Sequence, residues 1–210
     1  MTKPSDEKDR LTRKRRARLS VLERVDIAAL ETMRPLIESR WGRRLGALGN
    51  LADEPPMLGL SAGMVLAGVI GRTPRLRRAG MRMLAAHGIA IALKELGKNN
   101  IDRSRPDALL RKNRYRMRLG HSRDAKLRSF PSGHTAAAIA LAGAMSREYP
   151  KARGPAYLAA AVMGGLQVLR RAHFPGDVAA GALLGMAARM AGNVATDALI
   201  HVAIPTDPAN

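Results

Sequence analysis

The stretch PSGHTAAAIALAGAMS, residues 131–146, joins a helix-start signal to an apolar run rich in alanine. Ser132 is a favoured N-cap residue, and Gly133 lets other groups approach the backbone closely. The free N–H groups at the start of a helix bind anions, so this turn predicts a phosphate cradle with the titratable His134 at its rim. Read alone, the turn also fits an ordinary capped helix with an exposed histidine.

Four similar apolar runs, rich in alanine and glycine, occur at residues 57–71, 79–97, 156–169 and 178–196. Together with residues 134–146 they predict an all-α bundle of about five apolar helices, and the β-branched alternation of strands is missing. Each run is shorter or less pure than the ~20 apolar residues that cross a bilayer unaided. A soluble bundle is therefore an alternative, but small residues let membrane helices pack closely, and we favour transmembrane helices.

The chain before the bundle is polar. Residues 1–18 are basic and lack the apolar segment of a secretory signal. Residues 22–37 carry apolar side chains at three- and four-residue steps, which predicts an amphipathic helix with one apolar face: Leu22, Val25, Ala29, Met33 and Ile37. We expect a basic flexible tail (1–19), an amphipathic helical region (20–54), the bundle (55–200) and a C-terminal tail (201–210).

Composition narrows the possible partners. Lys and Arg number 36 against 17 Asp and Glu, a net charge of +19 that favours polyanions. Aromatic residues are only 3%, so the stacking platforms of most single-strand binders have little to be built from, and we expect no nucleic acid partner. The absence of cysteine excludes a disulfide scaffold, a thiolate zinc site, an iron–sulfur cluster and a cysteine nucleophile.

Two further motifs stand at the ends of apolar runs. Lys98 and Arg105 are seven residues apart, which on a continuous helix is two turns and one face, although an arginine-rich chain also produces such pairs by chance. His173-Phe-Pro-Gly-Asp177 places Pro175 where the first turn of a helix tolerates it. Asp177 could accept the Nδ1–H of His173 and leave Nε2 as a nucleophile or base, although such a pair is more often a surface cap.

In order and spacing, Lys98 to Pro106, residues 131–134 and His173 to Asp177 resemble the three motifs of the type 2 phosphatidic acid phosphatase superfamily. That superfamily includes bacterial acid phosphatases and vanadium haloperoxidases, and the resemblance covers about residues 57–196. It implies that His173 attacks phosphorus to form a phosphohistidine, that Asp177 orients it and that His134 protonates the leaving oxygen. It also implies that the phosphoryl oxygens are held by Lys98, Arg105, Ser132 and the Gly133 amide.

One departure from the family pattern concerns the third motif, which usually begins Ser-Arg six residues before the nucleophile. This chain has Leu166 and Gln167 there. Arg170 and Arg171 lie about one helical turn further on, so one of them could reach the same oxygen. We expect Arg171 to compensate.

The chain supplies cations where other phosphoryl-transfer enzymes use metals, so we expect no metal and no cofactor. Apolar helices around a phosphate site predict a lipid phosphate as substrate, in or on a membrane. The resemblance adds phospholipid, lipid A and polyprenyl-phosphate substrates, including polyprenyl-phosphoryl-phosphoribose. The alternatives are a vanadate-dependent haloperoxidase and a noncatalytic basic protein that binds membrane or nucleic acid. The sequence leaves the oligomeric state open.

The remaining histidines have no motif context. His87 lies inside an apolar run and is expected in the core, and His121 and His201 stand apart from the motifs. Basic residues number 13 in positions 1–54 and 11 in 98–128, against five in 72–82 and three in 147–153. The positive-inside tendency then places the site at the cytoplasmic face of a multi-pass protein of the inner membrane.

Overall fold

The structure is a computed structural model that describes residues 19–49 and 54–203. Within these ranges it contains eight α-helices and one two-stranded sheet. The predicted tails lie outside the described residues, apart from residue 19 and residues 201–203, which continue the last helix.

Five helices form the bundle, and their positions agree with the five apolar runs. They are α3 (Glu54–Ile70), α4 (Pro74–Asn100), α6 (Gly133–Glu148), α7 (Arg153–Leu169) and α8 (Pro175–Ala203). Two helices precede the bundle, α1 (Val21–Glu38) and α2 (Arg40–Ala47). The all-α prediction therefore holds for the architecture.

The connection from α4 to α6 is more ordered than its polar sequence suggests. It contains β1 (Ile101–Arg103), α5 (Pro106–Lys112), β2 (Met117–Leu119) and a 3₁₀ turn (Ala125–Leu127). β1 and β2 pair antiparallel with Ile101 opposite Leu119. The expectation that the chain has no strands is wrong here, because strands of three residues are too short to show an alternating pattern.

Alanine dominates the core of the bundle, where α6 packs between α4 and α8. Ala136, Ala140 and Ala144 of α6 are fully buried and contact Met83 of α4 and Ala188 of α8. A Cβ added at Gly192 of α8 would lie 2.7 Å from the backbone nitrogen of Ala86. Small side chains thus let these helices approach closely.

The two ends of the bundle differ. The turns α3–α4 and α6–α7 lie at one end, where the buried Arg82 of α4 donates to Glu148 of α6 at 2.9 Å and to Asp197 of α8 at 2.6 Å. The α4–α6 connection and the α7–α8 loop, which carry the three motifs, lie at the other end. The last turns of α8 are therefore at the end opposite the motifs.

The amphipathic helix α1 begins at Ser20 with a capping box shared with Glu23, as its sequence indicates. The predicted apolar face is correct for Ile37, which is buried, and for Met33, which packs against the core, but it is wrong for Leu22 and Val25, which are 82% and 61% exposed. The first half of the helix instead buries Asp26, Ile27 and Leu30. Asp26 is buried because it forms an ion pair with Arg103, which lies 77 residues away in the chain. Hydrophobic periodicity cannot reveal such a pair.

Membrane-spanning character is clear for one helix of the described part of the chain. Residues 175–201 of α8 are long and apolar enough to cross a membrane, and residues 55–70 are apolar but shorter. Large apolar side chains are exposed along three bundle helices: Leu58, Leu60, Leu66, Val69 and Ile70 of α3, Leu158 and Val162 of α7, and Leu183, Met190 and Val194 of α8. The expectation of five spans goes beyond these findings.

Candidate active site

The three sequence motifs meet at one end of the bundle. The ring centroids of His134 and His173 are 6.2 Å apart. The backbone N–H of Ser132 donates to the carbonyl oxygen of Asp177 at 3.0 Å, which fixes the start of α6 against the start of α8. A cavity of about 40 Å³ beside His134 is lined by Lys98 and Gly133. The structure thus brings together the residues singled out from all three motifs.

The start of α6 has the predicted cap. Ser132 is fully buried, and its hydroxyl oxygen accepts the backbone N–H of Thr135 at 3.4 Å. The side chain of Lys94 from α4 lies directly against Gly133, where any Cβ would collide with it. Glycine at this position therefore lets two cations, Lys94 and Lys98, line the same small cavity beside the N–H groups of the helix start.

His173 is held by a backbone carbonyl. Its Nδ1 lies 2.6 Å from the carbonyl oxygen of Ser129, and 3.9 Å from Oδ2 of Asp177. The predicted direct hydrogen bond from His173 to Asp177 is therefore wrong, because Ser129 stands between them. Since a carbonyl oxygen only accepts, Nδ1 carries the proton of the neutral ring and Nε2 keeps its lone pair.

The environment keeps His173 neutral. The side chain is 2% exposed, and its burial together with the positive charge of Lys98 lowers the pKa of His173 to about 3. An unprotonated imidazole is the form that can act as a nucleophile, so the ring is ready for attack across the ordinary working range of pH.

Asp177 acts on His173 through Ser129. Oδ2 of Asp177 accepts the Ser129 hydroxyl at 2.6 Å and the backbone N–H of Phe174 at 2.8 Å. Oδ1 accepts from Nη1 of Arg103 at 2.5 Å. Both carboxylate oxygens are therefore engaged, and the carboxylate fixes the segment whose carbonyl orients the imidazole.

Arg103 joins two buried carboxylates. Its Nη1 donates to Asp177 and its Nη2 donates to Asp26 of α1, each at 2.5 Å. Its guanidinium carbon lies 4.3 Å from the ring centroid of Phe174 and 5.6 Å from that of Tyr115. Both rings therefore lie within the range of a cation–π interaction.

Sequence reasoning missed Arg103, Asp26 and Ser129. Arg103 lies inside the first motif and Ser129 lies two residues before Pro131, so nearness to the motifs was the available signal. Asp26 had none, because its partner is 77 residues away and its own helix suggested an exposed position.

Lys98 and Arg105 are not on one continuous helix as the spacing suggested. α4 ends at Asn100, and β1 intervenes before Arg105, which caps α5 and donates from Nε to the carbonyl of Ala125 at 3.1 Å. Burial and the charge of Lys94 lower the pKa of Lys98 to about 8. Burial and the charge of Arg170 lower the pKa of Arg105. These cations repel each other, and their combined charge favours the binding of an anion at this end of the bundle.

Gln167 has a structural place of its own. It is fully buried, and its Nε2 donates to the carbonyl of Gly49 at 3.0 Å, tying α7 to the chain that follows α2. Arg171, which we expected to compensate for the missing arginine, pairs with Asp107 at 3.7 Å. Its role as a phosphate ligand stays a prediction. Arg170 is the neighbour whose charge reaches Arg105.

The other histidines lie outside this arrangement or at its edge. His87 is 2% exposed, as expected of a core residue, and lines the cavity beside His134. His201 lies near the far end of α8. Among the residues that the structure describes, no three His, Cys, Asp or Glu side chains form a group that could hold a metal ion.

The sequence model of the PAP2 superfamily matches residues 79–195, which is more than half of the chain and includes all three motifs. The chain belongs to the PAP2 superfamily. This membership supports a phosphatase of the PAP2 type. The crystal structure of Aquifex aeolicus LpxE shares the PAP2 fold of this chain, with a TM-score of 0.54 and 24% sequence identity over 79% of this chain and 94% of that chain. No curated protein matches the chain.

Replacing Arg103 with methionine should destabilise the PAP2 fold strongly. The substitution keeps an apolar stem but leaves Asp26 and Asp177 as buried carboxylates without their cation. Breaking a buried pair in this way costs about 3–5 kcal/mol. Chemical unfolding in detergent micelles, followed by circular dichroism, measures the loss.

Arg34→Met is the matched control, because Arg34 pairs with Glu38 on the exposed face of α1 at 3.0 Å. Exposed ion pairs contribute little to stability because water and salt screen them, so this variant should unfold close to the parent. Equal stability of the two variants would contradict the structural role of Arg103.

Proposed function

We propose that this PAP2 protein is a membrane phosphatase that hydrolyses a phosphate ester of a lipid through a phosphohistidine at Nε2 of His173. The observation that carries the proposal is the pairing of two histidine rings 6.2 Å apart, one of them neutral with Nδ1 occupied by a carbonyl. Two cations from different chain segments, Lys98 of α4 and Arg105 before α5, lie close enough for their charges to act on His173. Such a site suits a nucleophile, a proton donor and a transition state whose negative charge is spread over three phosphoryl oxygens.

In the first step, the lone pair of His173 Nε2 attacks phosphorus and forms an N–P bond while the bond to the lipid oxygen breaks. His134, protonated, donates its proton to that leaving oxygen, so the lipid departs as an alcohol. In the second step, His134 takes a proton from water as the water oxygen attacks phosphorus. The N–P bond then breaks, inorganic phosphate leaves, and both rings return to their starting forms.

Four residues, which we call the phosphoryl collar, neutralise the charge on the phosphoryl oxygens: Lys98, Arg105, Ser132 and Gly133. Lys98 and Arg105 supply positive charge, and the Ser132 and Gly133 region supplies the donors of a helix start. Because these charges belong to the chain, we propose that the reaction requires no metal. As Nε2 bonds to phosphorus the His173 ring becomes cationic, and the Ser129 carbonyl that accepts Nδ1–H stabilises that charge.

The substrate is proposed to be a lipid because the surface around the bundle suits a bilayer. Leu183, Met190 and Val194 of α8 are each more than 60% exposed, so this face of the helix needs an apolar partner outside the chain. We propose that residues 57–71, 79–97, 134–146, 156–169 and 178–196 cross the inner membrane. The motifs then lie at the membrane surface, where a phosphorylated headgroup of a phospholipid, lipid A or polyprenyl phosphate arrives. No nucleic acid partner is proposed.

Removing the nucleophile tests the proposal. His173→Gln should lower phosphate release from a panel of lipid phosphates by more than about a thousandfold, because the covalent step loses its attacking atom. The assay uses the purified full-length chain in detergent micelles with EDTA present. Inorganic phosphate is measured against time.

His201→Ala is the matched control, since His201 lies at the other end of α8, roughly 40 Å away at 1.5 Å per residue. It should stay within twofold of the parent. Equal release by the parent and His173→Gln would rule out the proposed nucleophile. Bromide oxidation with vanadate and peroxide, without release of phosphate, would instead indicate a haloperoxidase.

The pH dependence of kcat/KM should reflect the ionisation of Lys98 and not that of His173. In the free enzyme the pKa of His173 is about 3, so its protonation should not limit kcat/KM above pH 5. The pKa of Lys98 is about 8, so its charge is lost and kcat/KM should fall as the pH rises through 8. Lys98→Arg keeps its charge at these pH values.

The measured quantity is the ratio of kcat/KM for Lys98→Arg to that of the parent, in which the ionisation of substrate and of His134 cancels. With a pKa of about 8, the protonated fraction of Lys98 falls from ~90% at pH 7 to ~1% at pH 10, so the ratio should rise by up to about ninetyfold. A ratio that stays constant over this range would show that Lys98 does not carry the basic limb.

We propose, from the distribution of basic residues, that the motifs face the cytoplasm. The chain enters α8 at the motif end and leaves it at the opposite end, so the C-terminus would lie on the outer side. A C-terminal alkaline phosphatase fusion should therefore be active, and a C-terminal green fluorescent protein fusion should be dark. The reverse result would contradict a cytoplasmic site.

A further inference from the structure

A second, larger cavity lies next to the proposed catalytic site. Its volume is about 290 Å³, and it opens between α2, α5 and the loop from α7 to α8. Six of its lining residues carry the argument: Arg43 and Gly46 of α2, Asp107 and Arg111 of α5, and Arg170 and Arg171 of the loop. Arg170 and Arg171 lie within the span of the third motif but are not among its family residues, and the first two motifs contribute no side chain to this lining.

The cavity has an excess of positive charge. Among the described residues, four arginines line it against one carboxylate, Asp107. Asp107 pairs with Arg111 at 2.7 Å and with Arg171 at 3.7 Å, so its single negative charge is shared between two of the four cations. A concave wall with this balance attracts an anion.

Arg170 joins the cavity wall to α2. Its Nη1 is buried and has no hydrogen-bond partner among the described residues. α2 also approaches the backbone of Arg170 so closely that a Cβ at Gly46 would lie 3.0 Å from its nitrogen.

The cavity and the catalytic site are near enough for one molecule to reach both. Arg171 stands two residues before His173, and Asp107 stands two residues after Arg105. Two Cα–Cα steps of 3.8 Å span at most about 7.6 Å. Arg170 borders the cavity while its charge acts on Arg105 of the phosphoryl collar. A phosphorylated headgroup could therefore occupy both places at once.

We propose that this cavity binds a second phosphate group of the same substrate, next to the phosphomonoester that is cleaved. The proposal rests on the proposed function and narrows its substrate class. The preferred lipid carries a terminal phosphomonoester and an inner phosphodiester joined by a short polyol or sugar. Free inorganic phosphate has the same chemistry, and the experiment separates the two sources.

The test compares two lipids with the same acyl chains. Dioleoyl phosphatidate carries one phosphate, whereas dioleoyl phosphatidylglycerol phosphate carries a terminal monoester and an inner phosphodiester. Arg43→Gln removes one cation from the cavity wall. It should lower kcat/KM about tenfold for the two-phosphate lipid, as expected for one charge-assisted hydrogen bond, and less than twofold for phosphatidate.

Arg44→Gln is the matched control, because it removes the same charge from the same helix. Arg44 lies over the ring of Trp41, with its guanidinium carbon 5.7 Å from the centroid, and does not line the cavity. It should change neither lipid by more than twofold. Arg111→Gln is a second variant of the wall for use if Arg43→Gln lowers the thermal stability of the chain.

Equal effects of Arg43→Gln on both lipids, in a chain of unchanged thermal stability, would overturn the second phosphate site and leave the proposed function standing. Equal effects accompanied by altered inhibition by inorganic phosphate would assign the cavity to free phosphate and also overturn the proposal. No release of phosphate from either lipid by the parent chain would overturn the proposed function and the second site together.

Discussion

A single guanidinium, that of Arg103, holds the functional end of the bundle together. It donates to Asp26 of α1 and to Asp177 of α8, each at 2.5 Å, in a place where all three side chains are at most 10% exposed. Burying these charges is costly, and only their mutual pairing and added hydrogen bonds offset that cost. Asp26 obtains a second partner from the backbone N–H of Gly176 at 2.7 Å. The two ion pairs of Arg103, which together form a clamp, therefore fix the position of α1 against the start of α8.

The chemistry of the site follows from that clamp. Asp177, fixed by Arg103, accepts the hydroxyl of Ser129, and the carbonyl of the same Ser129 binds Nδ1 of His173. Each link is a hydrogen bond with a defined direction, so the proton of the imidazole is placed on Nδ1. Nε2 is then the atom with a free lone pair. The alanine and glycine core makes this possible, because it lets the ends of four helices converge closely enough to bring His134 beside His173.

The sequence was sufficient to predict the elements that depend on neighbouring residues. The five apolar runs, the Ser132 cap and Pro175 in the first turn of α8 were predictable, since each depends on residues within a few positions. The PAP2 motifs were recognisable because their spacing is fixed by short connections.

Features that depend on distant partners were not predictable. The first half of α1 buries the face that carries Asp26, whose partner lies 77 residues away, so periodicity chose the wrong face there. The carboxylate of Asp177 looked like the natural partner of His173 four residues earlier, but Ser129, 44 residues before His173 in the chain, takes that place. Lys98 and Arg105 reach the same site by way of a strand, a path that their spacing could not show.

The most direct test of this account is the identity of the nitrogen that carries phosphorus. Full-length protein is mixed with a ³²P-labelled lipid phosphate, quenched in alkali, where phosphohistidine is stable, and digested, and the labelled peptide is sequenced by mass spectrometry. NMR of the same intermediate, prepared with ¹⁵N-labelled histidine, distinguishes the two ring isomers. The account predicts label on His173 at Nε2. Label at Nδ1 of His173, or on another residue, would contradict it.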